Sequence, residues 1–213
     1  MTKIGVLGSG KVGETLSDGF LGRGDAVMRG SRDPKKLADW KARAQGDAHI
    51  GTFAETARWA DIVVLAVKGT GAEAAVAEAG AGLDGKLVID TTNPIADAPP
   101  RNGALTYFTG ANESLIGRLQ AQAPAARFVK AWNSVGSAAM IHPKLGATPS
   151  MFICGNDAAA KQQAGQILTD FGWEVVDVGG VELGYAVEAL CILWCAPGFL
   201  RNDWFHAFKY LKP

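Results

Sequence analysis

The amino-acid sequence predicts an α/β fold: a doubly wound, mainly parallel sheet of eight strands with a C-terminal helical extension. Three observations predict it. Short Val/Ile/Leu-rich runs alternate with Ala-rich helical stretches, the rhythm of strands covered on both faces by crossover helices. A glycine-rich turn, Gly8-Ser9-Gly10-Lys11-Val12-Gly13, stands between the first such run and the first helical stretch. Among 213 residues 48% are hydrophobic and 20% charged, enough for one sizeable core and too apolar for disorder throughout.

In chain order, strands are expected at 3–7, 26–29, 49–51, 62–67, 87–90, 128–130, 152–154 and 174–178. Helices are expected at 11–22, 34–44, 55–59, 71–79, 114–121 and 158–171. The helix at 34 has Pro34 in its first turn and Asp33 as its cap, both favourable start signals. Residues 93–110, with Pro94, Pro99 and Pro100, form the one long loop, placed to act as a wall or lid over a site. No repeat or linker splits the chain. Residues 1–179 are read as the nucleotide-binding body; an apolar helix over 182–195 and an aromatic tail (Phe199, Trp204, Phe205, Phe208, Tyr210) then pack on it or on a second subunit, giving a homodimer.

Lys plus Arg balance Asp plus Glu at 21 each, so no global field draws the chain to nucleic acid or an anionic membrane. The start runs straight into a strand, and no stretch is read as reaching the roughly 20 apolar residues of a membrane span, so a cytosolic location is expected. Of three cysteines, Cys191 and Cys195 stand four apart on the last helix. Helical spacing puts their Cβ atoms about 5–6 Å apart, too far for the roughly 3.5–4.5 Å of a disulfide. All three are read as buried thiols, and no cluster has metal-ligand spacing.

The glycine turn carries the strongest chemistry. Gly8 permits the tight turn, Gly10 lets a pyrophosphate approach the backbone, and Gly13 lets helix and strand pack closely. Ser9, Lys11 and Val12 complete the loop over which the diphosphate meets a helix N-terminus. At the tip of the second strand an NAD enzyme places an acidic residue for the ribose 2′-hydroxyl. Here stand Gly30, Ser31 and Arg32. A hydroxyl beside a guanidinium suits a 2′-phosphate, and Lys36 adds a third polar group, so the cofactor is read as NADP(H). Asp33 is read as the helix cap, with contact to a 2′-hydroxyl as its alternative.

Two more strand ends flank the cofactor path: Ala66-Val67-Lys68, where Lys68 is alternatively a solvated loop residue, and Asp90-Thr91-Thr92-Asn93-Pro94. Asn93 is held extended by the proline after it. The acceptor-facing wall is assigned to the end of the sixth strand: Ala131 on the cofactor, with Asn133 and Trp132 as candidates for orienting a ring. The alternative is Trp132 in the core and Asn133 as a helix cap. The histidines read as structural or surface residues, leaving no clear proton donor for an alkoxide. Hydride transfer to a flavin-like ring needs none.

Taken together, Gly8 to Gly13, Gly30-Ser31-Arg32-Asp33-Pro34, Asp90-Thr91-Thr92-Asn93-Pro94, Val129-Lys130-Ala131-Trp132-Asn133, Ile153-Cys154-Gly155-Asn156 and the 171–179 stretch resemble the deazaflavin-dependent NADP reductase family. The same series resembles the cytosolic NADPH domain of the six-transmembrane epithelial antigen metalloreductases. The resemblance spans nearly the whole chain. It implies a Rossmann-type enzyme with 2′-phosphate contacts at Ser31 and Arg32, with Lys36, and with a flavin or deazaflavin as co-substrate. Deazaflavin-using members are expected to carry a histidine near Asn133, and the 91–94 and 130–133 segments look closer to the metalloreductase branch. Two other readings stand beside it: reduction of a small imine or carbonyl, and a non-catalytic NADPH-sensing module.

Overall fold

A computed structural model describes residues 1–213. Six parallel strands form one sheet: β1 (Lys3–Leu7), β2 (Ala26–Gly30), β3 (Ala48–Gly51), β4 (Ile62–Leu65), β5 (Leu87–Asp90) and β6 (Arg127–Lys130). Their order across the sheet is β3-β2-β1-β4-β5-β6, the Rossmann order. β1 pairs with β2 on one side and β4 on the other, with Leu7 level with both Gly30 and Leu65. The order therefore reverses beside β1, and the crevice beyond the carboxyl ends of β1 and β4 is where this topology receives a ligand.

Strand alternation builds a core on each face. Ile4, Val6, Val64 and Ile89 turn toward α1 (Lys11–Gly22) and α6 (Ala158–Asp170), where they meet Leu16, Phe20, Ile167 and Leu168. Leu7, Val63, Leu65 and Val88 turn the opposite way, toward α3 (Phe53–Trp59), α4 (Ala72–Ala79) and α5 (Leu115–Gln122). Each such side chain, at or near zero exposure, contributes about 1.5–3 kcal/mol relative to water. The helix starts follow local rules. Thr52 and Glu55 form a reciprocal capping box on α3, with Thr52 N–H donating to Glu55 Oε2 at 2.8 Å. Ser114 accepts from Gly117 N at the head of α5.

The sheet has six strands, and the expected eight do not form one ladder. β7 (Ser150–Ile153) and β8 (Glu174–Asp177) pair in parallel with each other. A lone antiparallel bridge, Lys130 N donating to Cys154 O at 2.9 Å, links them to β6. Beyond that bridge the backbone turns away, and Gly155 N donates to Gly179 O, so no second rung can form. The helix expected over 34–44 is also divided: Pro34–Leu37 makes a 3-10 turn before α2 (Ala38–Arg43).

α7 (Gly184–Arg201) is longer than its apolar pattern suggested and continues past Pro197. Contrary to the sequence reading, the 181–201 stretch is long and apolar enough by length and composition to cross a membrane; a third of it is buried inside the fold. Its inner face packs into the body through Val187, Glu188, Cys191 and Trp194. The tail runs back over β7, with Ser150 N donating to Phe208 O at 2.8 Å. The 93–110 segment is an irregular hairpin, tied by bridges Ile95–Tyr107 and Arg101–Ala104 and anchored by the Tyr107 hydroxyl, which donates to Glu188 O at 2.5 Å.

Candidate functional site

At the carboxyl edge of β1, β2 and β4 lies a cleft of about 730 Å³, lined by Gly8, Ser9 and Gly10, by Ser31, Arg32 and Lys36, and by Ala66, Val67 and Lys68. The sequence assigned these residues, and the fold brings them together. The three glycines do different work. A Cβ on Gly8, whose φ is +151°, would stand 2.2 Å from Ala66 O, and one on Gly13 would stand 2.8 Å from Gly8 O. On Gly10 it would meet nothing within 4 Å. The first two glycines let β1, α1 and β4 close on one another; the third leaves space for a diphosphate against the backbone.

Gly10 caps α1 with no side-chain partner, so the first N–H groups of a 12-residue helix face the cleft unsatisfied. Beneath the loop lies Arg29, 1% exposed, whose Nη2 donates to Gly8 O and Gly10 O at 3.2 Å each. Its guanidinium stacks 5.0 Å from the Trp40 ring, and burial lowers its pKa from the ordinary arginine value. Lys11 and Val12 belong to the loop through their backbone. The Lys11 side chain pairs with Glu14 at 3.0 Å, away from the cleft lining.

At the far tip of β2, Ser31 Oγ accepts from Asp33 N at 3.2 Å, which leaves its own hydrogen free to donate. Asp33 itself accepts from Lys35 N at 3.2 Å as the cap of the 3-10 turn, the role read from the sequence. Arg32 and Lys36 are exposed and form no ion pair. Across the mouth Lys68 pairs with Asp97 of the 93–110 hairpin.

The strand ends of β5 and β6 form a second cluster. Asn93 Nδ2 donates to Asn133 O at 2.7 Å, and Asn133 Nδ2 donates to Asn93 Oδ1 at 3.1 Å and to Val187 O at 2.9 Å. Gly69 lies so close that a Cβ there would stand 1.8 Å from Asn93 O. Ala131 is fully buried beside them, and Asn133 Oδ1 is a buried acceptor with no protein partner. Trp132, expected to face an acceptor, instead lies in the core at 1% exposure, packed against Phe20 and Phe171 at 6.5 and 5.9 Å between ring centroids. Its backbone adopts a φ of +56°, in the left-handed region.

Under this cluster the sequence reading missed a charged core. Lys130 Nζ stands 2.6 Å from Asp90 Oδ2 and 2.8 Å from Glu188 Oε1, all three side chains at or below 1% exposure. Burial works against the ammonium, but Asp90 and Glu188 outweigh it and hold its pKa above the ordinary lysine value. A charge at the end of each apolar run, Leu87–Asp90 and Arg127–Lys130, and a lone Glu188 in an apolar helix were the available signals. Burial pushes the nearby Cys154 thiol up to about 12, so it is inert as a nucleophile at neutral pH. Cys191 and Cys195 are free thiols with sulfurs 3.8 Å apart; Cys191 is buried and Cys195 partly so.

The residues fit a dinucleotide with a 2′-phosphate. The free amides and Gly10 would hold the diphosphate, Ser31, Arg32 and Lys36 would hold the ribose phosphate, and the orphaned Asn133 carbonyl offers an acceptor at the opposite strand tips. Fold and site define an NADP-dependent oxidoreductase of the Rossmann type.

Comparison with known proteins is more specific. Residues 3–94 match the family model described as NADP oxidoreductase, coenzyme F420-dependent. A protein of Arthrobacter sp. FB24, provisionally assigned as an F420-dependent NADP reductase, is 30% identical and superposes with a TM-score of 0.92 over the full length of both chains. The chain belongs to this family. It is also 26% identical over 218 residues to Metalloreductase STEAP3 of Rattus norvegicus, aligning 99% of this chain with 42% of that protein. The chain thus spans less than half the length of that curated relative. An imine reductase of Myxococcus stipitatus in complex with NAD+ shares the fold alone, at 18% identity and a TM-score of 0.65 over 91% of this chain and 60% of that one.

Proposed function

We propose that the protein passes a hydride between NADP(H) and a flavin- or deazaflavin-type ring. The observation that carries this reading is the chemistry of the strand tips opposite the 2′-phosphate end. Their amides and hydroxyls, from Asn93, Asn133, Thr91 and Thr92, are hydrogen-bonded within the protein apart from the Asn133 Oδ1 acceptor, and the charged groups nearby are locked into one another. A carbonyl reductase needs a side chain that hands a proton to an alkoxide. Lys130 is buried and doubly paired, and the Tyr107 hydroxyl is committed to Glu188 O, with burial raising its pKa. The nicotinamide supplies the hydride; this chain's residues orient the ring and exclude water.

Catalysis is assigned to the cytosol and to a homodimer. Tyr185, Leu193, Phe199 and Leu200 form an apolar stripe along the outer face of α7, 37% to 62% exposed, and this stripe supports the docking of a second copy. Sedimentation at micromolar concentration tests that assembly. For the activity, NADPH absorbance is followed with FMN, FAD, a deazaflavin coenzyme and a panel of small imines and ketones. Turnover with a ring acceptor supports the proposal. Turnover confined to imines or carbonyls assigns the protein to the other reductase class, and tight binding without turnover to any acceptor makes it a sensor.

A further inference from the structure

Three ionisable side chains from three elements meet out of reach of water: Asp90 at the end of β5, Lys130 at the end of β6 and Glu188 in α7, 0%, 0% and 1% exposed. Lys130 Nζ lies within ion-pair distance of both carboxylates and donates to Thr92 O at 2.8 Å. The surplus negative charge is met by α5. Leu115 N donates to Glu188 Oε2 and Ile116 N to Glu188 Oε1, each at 3.0 Å, in the first turn of the helix where free amides and the dipole favour an anion.

Stability does not account for such a triad, because buried ion pairs are often no better than apolar packing of the same volume. Geometry does. Asp90 Oδ1 accepts from Thr92 N at 2.8 Å and Thr92 Oγ1 at 2.7 Å, while Lys130 takes the Thr92 carbonyl. Thr92 is thereby gripped at every polar group it has. The next residue is Asn93, paired with Asn133, and Asn133 in turn donates to Val187 O, the neighbour of Glu188.

We propose that Asp90, Lys130 and Glu188 are positioning residues for the nicotinamide half of the cofactor site, setting Thr92, Asn93 and Asn133 in register with α7. The adenosine half is built by β1, β2 and β4 and does not depend on them. This inference rests on the NADP(H) reading of the cleft.

Glu188→Gln and Lys130→Arg separate the two halves. The first keeps the shape and removes the charge; the second keeps the charge and changes its reach. Binding of adenosine 2′,5′-bisphosphate reports the adenosine half and the fold together. Its Kd is expected to stay at the wild-type value in both variants. NADPH, by contrast, binds more weakly, with altered fluorescence of its bound nicotinamide, and hydride transfer to the best acceptor falls on the order of 100-fold, the loss a displacement of about 1 Å produces. Variants that lose the bisphosphate as well would make the triad a folding element only, and variants with unchanged NADPH fluorescence and rate would give it no part in the site. Either overturns the inference. A wild-type protein that binds neither NADPH nor the bisphosphate would instead remove the reading on which it rests.

Discussion

Replacing Arg32 by Ala tests the basis of cofactor choice. Arg32 is exposed at the tip of β2, lines the cleft and has no acidic partner to lose, so its removal leaves no buried charge behind. The 2′-phosphate carries a charge of about −1.5 to −2 near neutral pH, and a hydrogen bond from a guanidinium to such a group contributes about 1.5–3 kcal/mol. That corresponds to a loss of roughly 10- to 150-fold in NADPH affinity. NADH, which carries no phosphate at this position, should bind as before. Titration of both cofactors by fluorescence or calorimetry gives the ratio directly, and the preference for NADPH is expected to fall by the full factor. Ser31→Ala should act in the same direction and less strongly, since its hydroxyl is neutral. Equal weakening of NADPH and NADH by Arg32→Ala would refute the assignment and return Asp33 to consideration as a 2′-hydroxyl contact.

Three further outcomes follow from other parts of the structure. Arg29→Met removes the donors to Gly8 O and Gly10 O, so both cofactors should weaken together, roughly tenfold or about 1.4 kcal/mol, in the same titration. Trp132→Ala opens a cavity among Phe20, Phe171 and Met151, and denaturant unfolding should register a loss of about 3–5 kcal/mol. Glu113 is held at about 2 by its hydrogen bonds to Arg118 and Gly110 N, below the ordinary 4.5. Its folded pKa is depressed, so its contribution is complete above pH 4.5 and is lost as pH falls toward 2. Wild type should be the more stable above 4.5, with the gap to Glu113→Gln closing across that window; a gap independent of pH would contradict the pairing.

Much of the adenosine half could be read in the chain because its determinants are local. A glycine pattern, a strand tip and a cap each lie within a few residues, and Gly8, Gly10, Gly13, Ser31, Arg32 and Asp33 stand in the structure as their neighbours in sequence implied. The nicotinamide half was legible only in part. Asn93 and Asn133 were singled out, while Trp132 took the alternative place that the sequence left open to it, in the core.

What the sequence determined alone is therefore the alternation of buried strands and amphipathic helices, the glycine turn at the head of α1 and the placement of Ser31 and Arg32 at the tip of β2. Tertiary structure decided the rest. It ended the main sheet at six strands, because one bridge beyond β6 cannot propagate a ladder whose next residues already pair elsewhere. It also joined Asp90, Lys130 and Glu188, separated by up to 98 positions (188 − 90), into one buried triad. Such contacts depend on how β5, β6 and α7 stack in space, and charges that look isolated along the chain reveal their partners only once those elements are packed.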